Sequence, residues 1–77
     1  MGDLRAAFGH RVKQLREQRG WSQEKLAERA GLDWTYISGI ERGLRNPGLN
    51  TLGSLARAFG VSLPMLVSDL RTRSETI

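Results

Sequence analysis

The run from Trp21 to Gly43, WSQEKLAERAGLDWTYISGIERG, constrains the fold of this chain more than any other feature of the sequence. Ser22 and Asp33 are natural N-caps, so each predicts the start of a short helix. Gly31 separates the two helices and suits a left-handed turn residue, which allows a sharp reversal of the chain. Two short helices joined by one glycine-centred turn predict a helix-turn-helix, whose second helix can enter the major groove of DNA.

The second helix of this motif, predicted from Trp34 to Arg42, has two faces of different character. Ile37 and Ile40 define its buried side at about 100° per residue. The opposite arc is polar, small and uncharged until its last residue, and it contains Thr35, Ser38, Gly39 and Arg42. A solvated helix face usually carries Glu and Lys, so this arc indicates a surface that approaches another molecule closely. A weakly stable helix is the alternative interpretation.

Apolar spacing predicts three further helices around the motif. The first helix begins behind Asp3 and ends near Arg19, the fourth runs roughly from Leu49 to Phe59, and the fifth begins after the N-cap Ser62. The first helix is predicted to pack into the core through its apolar residues, Leu4, Phe8, Val12 and Leu15. The sequence therefore predicts an all-α, compact five-helix domain over residues 1–70 and a flexible C-terminal tail over residues 71–77.

The fifth helix carries more apolar surface than the end of so small a domain can bury internally. We interpret the surplus as a subunit interface, with ordinary core as the alternative. The residues assigned to this dimer interface are Leu63, Leu66, Val67 and Leu70.

The charge and the residue composition of the chain indicate which kinds of molecule it can bind. The chain has 12 basic residues against 8 acidic ones, for a net charge of +4, and ten of the 12 are Arg, the residue best shaped for bidentate contact with phosphates and guanine edges. The sequence has no Cys and one His, His10, which excludes disulfides and disfavours a metal site. No catalytic constellation, cofactor motif, small-molecule site, membrane span or signal peptide is evident, so we expect a cytoplasmic protein that is not an enzyme.

The segment SQEKLAERAGLDWTYISGIERG, followed by RNPGLNTLGSLARAFGVSL, resembles the DNA-binding domain of the Xre, Cro and lambdoid-repressor family over roughly residues 8–70. The run TYISGIERG followed by RNP is also similar to the controller proteins of restriction-modification systems. The resemblance implies a lambda-repressor-like fold and a homodimer that binds a pseudo-palindromic operator in double-stranded DNA. It implies transcription regulation as a repressor or an activator, with RNA polymerase as a further partner. An antitoxin that caps a protein partner through the fifth helix is the rival interpretation.

The resemblance also assigns roles to individual residues. Arg16 and Glu41 match a structural salt bridge that fixes the recognition helix against the first helix. Trp34 stands where related controllers often carry Arg, and Gly39 stands where lambdoid repressors can carry a base-reading Gln. Specificity is therefore expected to shift towards Arg45 and Asn46. Together with the exposed arc, the resemblance predicts as DNA-binding residues Gln23, Trp34, Thr35, Tyr36, Ser38, Arg42, Arg45, Asn46 and Thr51.

Overall fold

A computed structural model of the 77-residue chain describes residues 4–68 and residue 70. The five predicted helices are present in this part of the chain, and the all-α prediction is confirmed. The helices are α1 (Leu4–Gln18), α2 (Gln23–Ala30), α3 (Trp34–Glu41), α4 (Leu49–Phe59) and α5 (Leu63–Leu66). The predicted tail, residues 71–77, lies outside the described residues. None of the described helices is long and apolar enough to cross a membrane.

The turn between α2 and α3 is built from local hydrogen bonds. Ser22 caps α2, since its hydroxyl accepts the backbone N–H of Lys25 at 3.0 Å. At the other end, Gly31 has a φ of +68°, and the N–H of Leu32 donates to the Ala27 carbonyl at 2.9 Å. A left-handed residue at this position closes α2 and reverses the chain within a few residues, which places α3 across α2.

One apolar core holds the five helices together. Its eleven buried residues include Ile37 and Ile40, the predicted buried side of α3, and are Phe8, Val12, Leu15, Leu26, Ala27, Ile37, Ile40, Leu55, Ala56, Phe59 and Leu66. Leu4, predicted as a core residue of α1, is instead 56% exposed. It lies in the first turn of α1, where it lines an open groove with Asn46 and Val67. Trp21 stacks on Phe59 with ring centroids 6.0 Å apart and so extends the core to the end of α4.

Glycine lets α1 and α3 approach each other closely. A Cβ atom placed on Gly9 would collide with the carbonyl oxygen of Ile40 and would lie 2.7 Å from that of Glu41. Both are backbone atoms at the C-terminal end of α3, which cannot move aside without displacing the helix. Gly9 therefore sets the distance between α1 and the end of the recognition helix.

The α5 segment differs from its prediction. It is a single turn of 4 residues, and Leu66, expected at a dimer interface, is 0% exposed within the subunit. The assignment of Leu66 to an interface is therefore wrong, because α5 turns this side chain inward onto the core formed by α1 and α4. Leu63 and Val67 remain exposed, and Leu70 is half-buried.

Candidate nucleic-acid interface

The recognition helix α3 presents one side to the protein and the other to solvent. Ile37 and Ile40 are fully buried on the inner side, where α3 packs against α1 and α2. On the outer side Thr35 and Arg42 are exposed, and Ser38 is half-buried. Because the inner side is anchored by two β-branched residues, the outer side is held as a rigid surface at the edge of the domain.

Asp33 caps α3 and also fixes the side chain of Thr35. Its carboxylate accepts the Thr35 hydroxyl at 2.7 Å and the Thr35 backbone N–H at 2.9 Å. The hydroxyl bond, followed by the backbone bond, lowers the pKa of Asp33 below its usual value. With its proton directed at Asp33, Thr35 offers a methyl group and an accepting oxygen. A methyl group suits thymine, and an acceptor suits the amino groups of adenine and cytosine.

Side chains from α3, from the loop after it and from the first turn of α4 lie close together. Tyr36 on α3 lies with its hydroxyl 3.5 Å from that of Thr51 in the first turn of α4. Arg45, in the loop between these helices, holds its guanidinium carbon 5.7 Å from the centroid of the Tyr36 ring. The structure thus brings together three of the predicted DNA-binding residues in one continuous patch, which we call the reading patch: Tyr36, Arg45 and Thr51.

Gly39 was predicted to lie on the exposed arc of α3, but it is buried. A Cβ atom built on Gly39 would lie 2.8 Å from Cγ of Arg45. The long side chain of Arg45 therefore covers the helix at this point, and the arc continues through Arg45 instead of through Gly39.

Three further predicted residues lie apart from the reading patch. Asn46 is exposed but lines a groove with Leu4 and Val67 between α1 and α5. Trp34 is 49% exposed and borders a shallow depression at the start of α2 that Gln23 also lines. Asn46 thus faces the α5 side of the domain, and Trp34 and Gln23 lie at the junction of the two N-termini of the helix-turn-helix.

Gln23, Arg16 and Glu41 form one network beneath α3. Arg16 donates from Nε to Glu41 Oε2 at 2.6 Å and from Nη2 to Oε1 at 3.0 Å, while Gln23 Nε2 donates to Oε1 at 3.1 Å. Arg16 also donates to the Trp21 carbonyl at 2.8 Å. The hydrogen bond to Glu41 raises the pKa of Arg16, and burial opposes it. This network ties α1 and α2 to the last residue of α3.

Two basic residues, Arg11 in α1 and Arg19 just after it, are engaged within the subunit. Arg11 donates to the Met65 carbonyl at 2.8 Å and to the Leu66 carbonyl at 3.3 Å, which pins α5 to α1. Arg19 donates to the Phe59 carbonyl at 2.8 Å and lies against the rings of Trp21 and Phe59. These two arginines donate to backbone carbonyls at the C-terminal ends of α5 and α4, so they hold neighbouring helices in place.

Sequence reasoning missed Gly9, Arg11 and Arg19 as residues that hold the helices in place. Gly9 could have been found from the sequence. A glycine in the middle of a helix lowers its stability, so its presence there usually indicates close packing against a neighbouring element. The two arginines carry no such signal, because their partners are backbone carbonyls more than 39 residues away. Among residues 4–68 and 70, no group of three or more His, Asp or Glu side chains could hold a metal ion.

Comparison with known proteins gives concordant results. A helix-turn-helix family model matches residues 12–66. A protein of Neisseria meningitidis serogroup B described as a hypothetical transcription factor is 42% identical over 65 residues, and the match covers 84% of this chain. The chain spans 61% of the length of that relative.

Solved structures agree with the sequence matches. The restriction-modification controller protein C.AhdI from Aeromonas hydrophila superposes with a TM-score of 0.79 at 44% identity, covering 83% of this chain and 96% of that one. SinR, a master regulator of biofilm formation solved in complex with DNA, superposes with a TM-score of 0.74 at 39% identity, covering 79% and 98%. The chain therefore belongs to the helix-turn-helix family of transcription regulators.

Proposed function

We propose that this protein binds a pseudo-palindromic operator as a homodimer and controls transcription by occupying that site. The observation that carries the proposal is the reading patch, where the α3 side chain of Tyr36 meets Arg45 from the following loop and Thr51 from α4. An aromatic ring, a guanidinium group and a hydroxyl at the N-terminus of a helix form a surface suited to base edges and phosphates. The net charge of +4 favours a polyanionic partner.

Each segment has a separate role in this proposal. We assign base recognition to Thr35, Ser38 and Arg45, since these residues lie on or over the outer side of α3. We assign phosphate contact to Thr51, where the first turn of α4 also offers backbone N–H groups. Gln23 begins α2 and Trp34 begins α3, whereas Arg42 and Asn46 lie after the last residue of α3. We assign these four residues to the edges of the DNA contact.

The homodimer is supported by exposed apolar residues on and beside α5. Leu63, Met65 and Val67 are all exposed, and Arg11 holds the backbone that carries them. Several large apolar side chains exposed within five consecutive residues are consistent with a protein interface. A two-fold dimer would place two recognition helices about 34 Å apart, in successive major grooves of DNA.

Selection of bound sequences from random duplex DNA tests the proposal directly. We expect enrichment of a motif with two inverted half-sites, and the affinity for it should fall steeply as salt is raised. Failure to enrich any motif would contradict sequence-specific regulation.

Point variants separate base contacts from phosphate contacts. Arg45→Ala should relax preference at one or two base pairs by about 1–3 kcal/mol, whereas Thr51→Ala should weaken binding to all sequences alike. Arg57→Ala is the control for charge, because it removes one positive charge from the last turn of α4, about 9 Å along the helix from Thr51.

Sedimentation of the Val67→Asp variant tests the homodimer. The variant should be a monomer with unchanged helix content, because Val67 is exposed in the subunit. A Val67→Asp protein that remains dimeric would place the interface elsewhere. Bound dimers would act on RNA polymerase either by blocking it or by recruiting it, according to where the operator lies.

A further inference from the structure

The chain turns back sharply after α3 and returns across the outer side of that helix. The N–H of Gly43 donates to the Ile40 carbonyl at 3.0 Å, and the N–H of Leu44 donates to the Gly39 carbonyl at 2.9 Å. These two bonds define a Schellman helix end. The next residue, Arg45, consequently starts beside α3 and not beyond it.

The side chain of Arg45 then runs over Gly39. A Cβ atom built on Gly39 would lie 2.8 Å from Cγ, 3.1 Å from Nε and 3.5 Å from Cδ of Arg45. A separation of 2.8 Å is far below carbon–carbon contact distance, which is about 3.5–4.0 Å. Any residue other than glycine at position 39 would therefore push Arg45 off this course.

The guanidinium of Arg45 reaches the ring of Tyr36 at the end of this path. A cation over an aromatic face is held there by the charge distribution of the ring. The aliphatic part of Arg45 thus lies in the space that the absent side chain of Gly39 leaves open, and its guanidinium group contacts Tyr36. The residue as a whole is exposed to solvent.

We propose that Gly39 is a positioning residue for Arg45 and so sets the base preference of the protein without contacting DNA. At position 39 a longer side chain would project from the outer arc of α3 and meet the DNA itself. Because Gly39 has no side chain, Arg45 from the following loop occupies that part of the outer arc. Arg makes bidentate contacts with guanine, and a side chain already held in place loses less freedom on binding. This inference rests on the proposal that α3 and the reading patch contact operator DNA.

A double-mutant cycle on the selected operator tests the proposal. Gly39→Ala and Arg45→Ala should each weaken specific binding by roughly 5- to 150-fold. In the Arg45→Ala background, Gly39→Ala should change affinity by less than about twofold, since both act through the same contact. Gly53→Ala is the matched control, because Gly53 is also helical and a Cβ atom there meets nothing within 4 Å.

Thermal unfolding separates positioning from damage to the fold. Alanine is a better helix former than glycine, and the obstructing group is a flexible side chain, so Gly39→Ala should leave the Tm unchanged or raise it while affinity falls. A lower Tm would show that Gly39 is a packing residue and would overturn the proposal. Equal losses from Gly39→Ala with and without Arg45 would also overturn it.

NMR of the free protein distinguishes failure of this inference from failure of the proposed function. In the wild type, the ring of Tyr36 should shift the Hδ and Nε–H resonances of Arg45, and Gly39→Ala should move them to the values of a solvated arginine. Unshifted resonances in the wild type would overturn the placement of Arg45 whatever the protein binds. If the resonances shift as expected and no duplex is selected, the proposed function fails, and with it the role of Gly39 in base preference.

Discussion

Replacing Glu41 with Ala removes the carboxylate that joins α1 and α2 to the end of α3. Glu41 accepts hydrogen bonds from both Arg16 and Gln23, and the side chains of Arg16 and Glu41 are only 11% and 3% exposed. The remaining guanidinium would lie in a site with little water and keep one bond, to the Trp21 carbonyl. Breaking a buried ion pair costs about 3–5 kcal/mol. Because Arg16 keeps that bond and some contact with water, we expect a loss of about 3 kcal/mol.

Urea denaturation followed by far-ultraviolet circular dichroism measures this loss. In a domain of this size a change of 1 kcal/mol moves the Tm by about 4–8 °C, so the Tm should fall by roughly 12–24 °C. Fluorescence anisotropy should show weaker operator binding at a temperature where the variant is folded, because α3 loses an anchor at its last residue. The double variant Arg16→Met/Glu41→Leu should regain most of the stability, since apolar replacement of a buried pair is often neutral.

Glu28→Ala is the control for removal of a carboxylate from an exposed pair. Glu28 lies 3.7 Å from Lys25, and their side chains are 74% and 45% exposed, so its removal should cost less than about 1 kcal/mol. If Glu41→Ala costs no more than Glu28→Ala, the network beneath α3 does not stabilise the fold and our reasoning is wrong.

Three further predictions concern stability. Gly9→Ala should lower the free energy of unfolding by about 3 kcal/mol, since the new Cβ meets backbone of α3; Gly53→Ala should be neutral or stabilising in the same urea titration. Because Thr35 lowers the pKa of Asp33, the cap stabilises the protein above the ordinary Asp pKa and is lost as pH falls through the lowered value. The stability difference between wild type and Asp33→Ala should therefore shrink in strong acid, and a pH-independent difference would contradict this. Leu66→Ala should cost about 2–5 kcal/mol because Leu66 is fully buried, whereas Met65→Ala should change the Tm of the subunit little.

Sequence reasoning located the helix ends well because the signals are local. Ser22, Asp33 and Gly31 act within a few residues of their own positions, and their hydrogen bonds and φ angle are those the pattern predicts. The inner face of α3 was equally predictable, because Ile37 and Ile40 follow the period of the helix. Helix periodicity therefore identified the recognition helix and its orientation.

The periodicity of apolar residues does not predict how much of a helix's apolar face its neighbouring helices cover. Leu4 and Leu66 were both assigned to the wrong environment, because each lies on an apolar stripe whose covering depends on where α3 and α5 end. The same limit applies to Gly39, which was placed on an exposed arc. Its burial depends on the side chain of Arg45, which a helical projection of α3 does not contain.

The order of the helices, their caps and the polar outer side of α3 all follow from residues that lie within one or two turns of each other in the chain. The contacts that aim α3 join residues that are far apart in sequence: Gly9 against the end of α3, Arg16 with Glu41, and Tyr36 with Thr51. Local patterns repeat along the chain and can be recognised in it, whereas a close approach between distant segments depends on the packing of the whole core. The run from Trp21 to Gly43 therefore specifies a helix-turn-helix, and the folded core determines which side chains that motif presents.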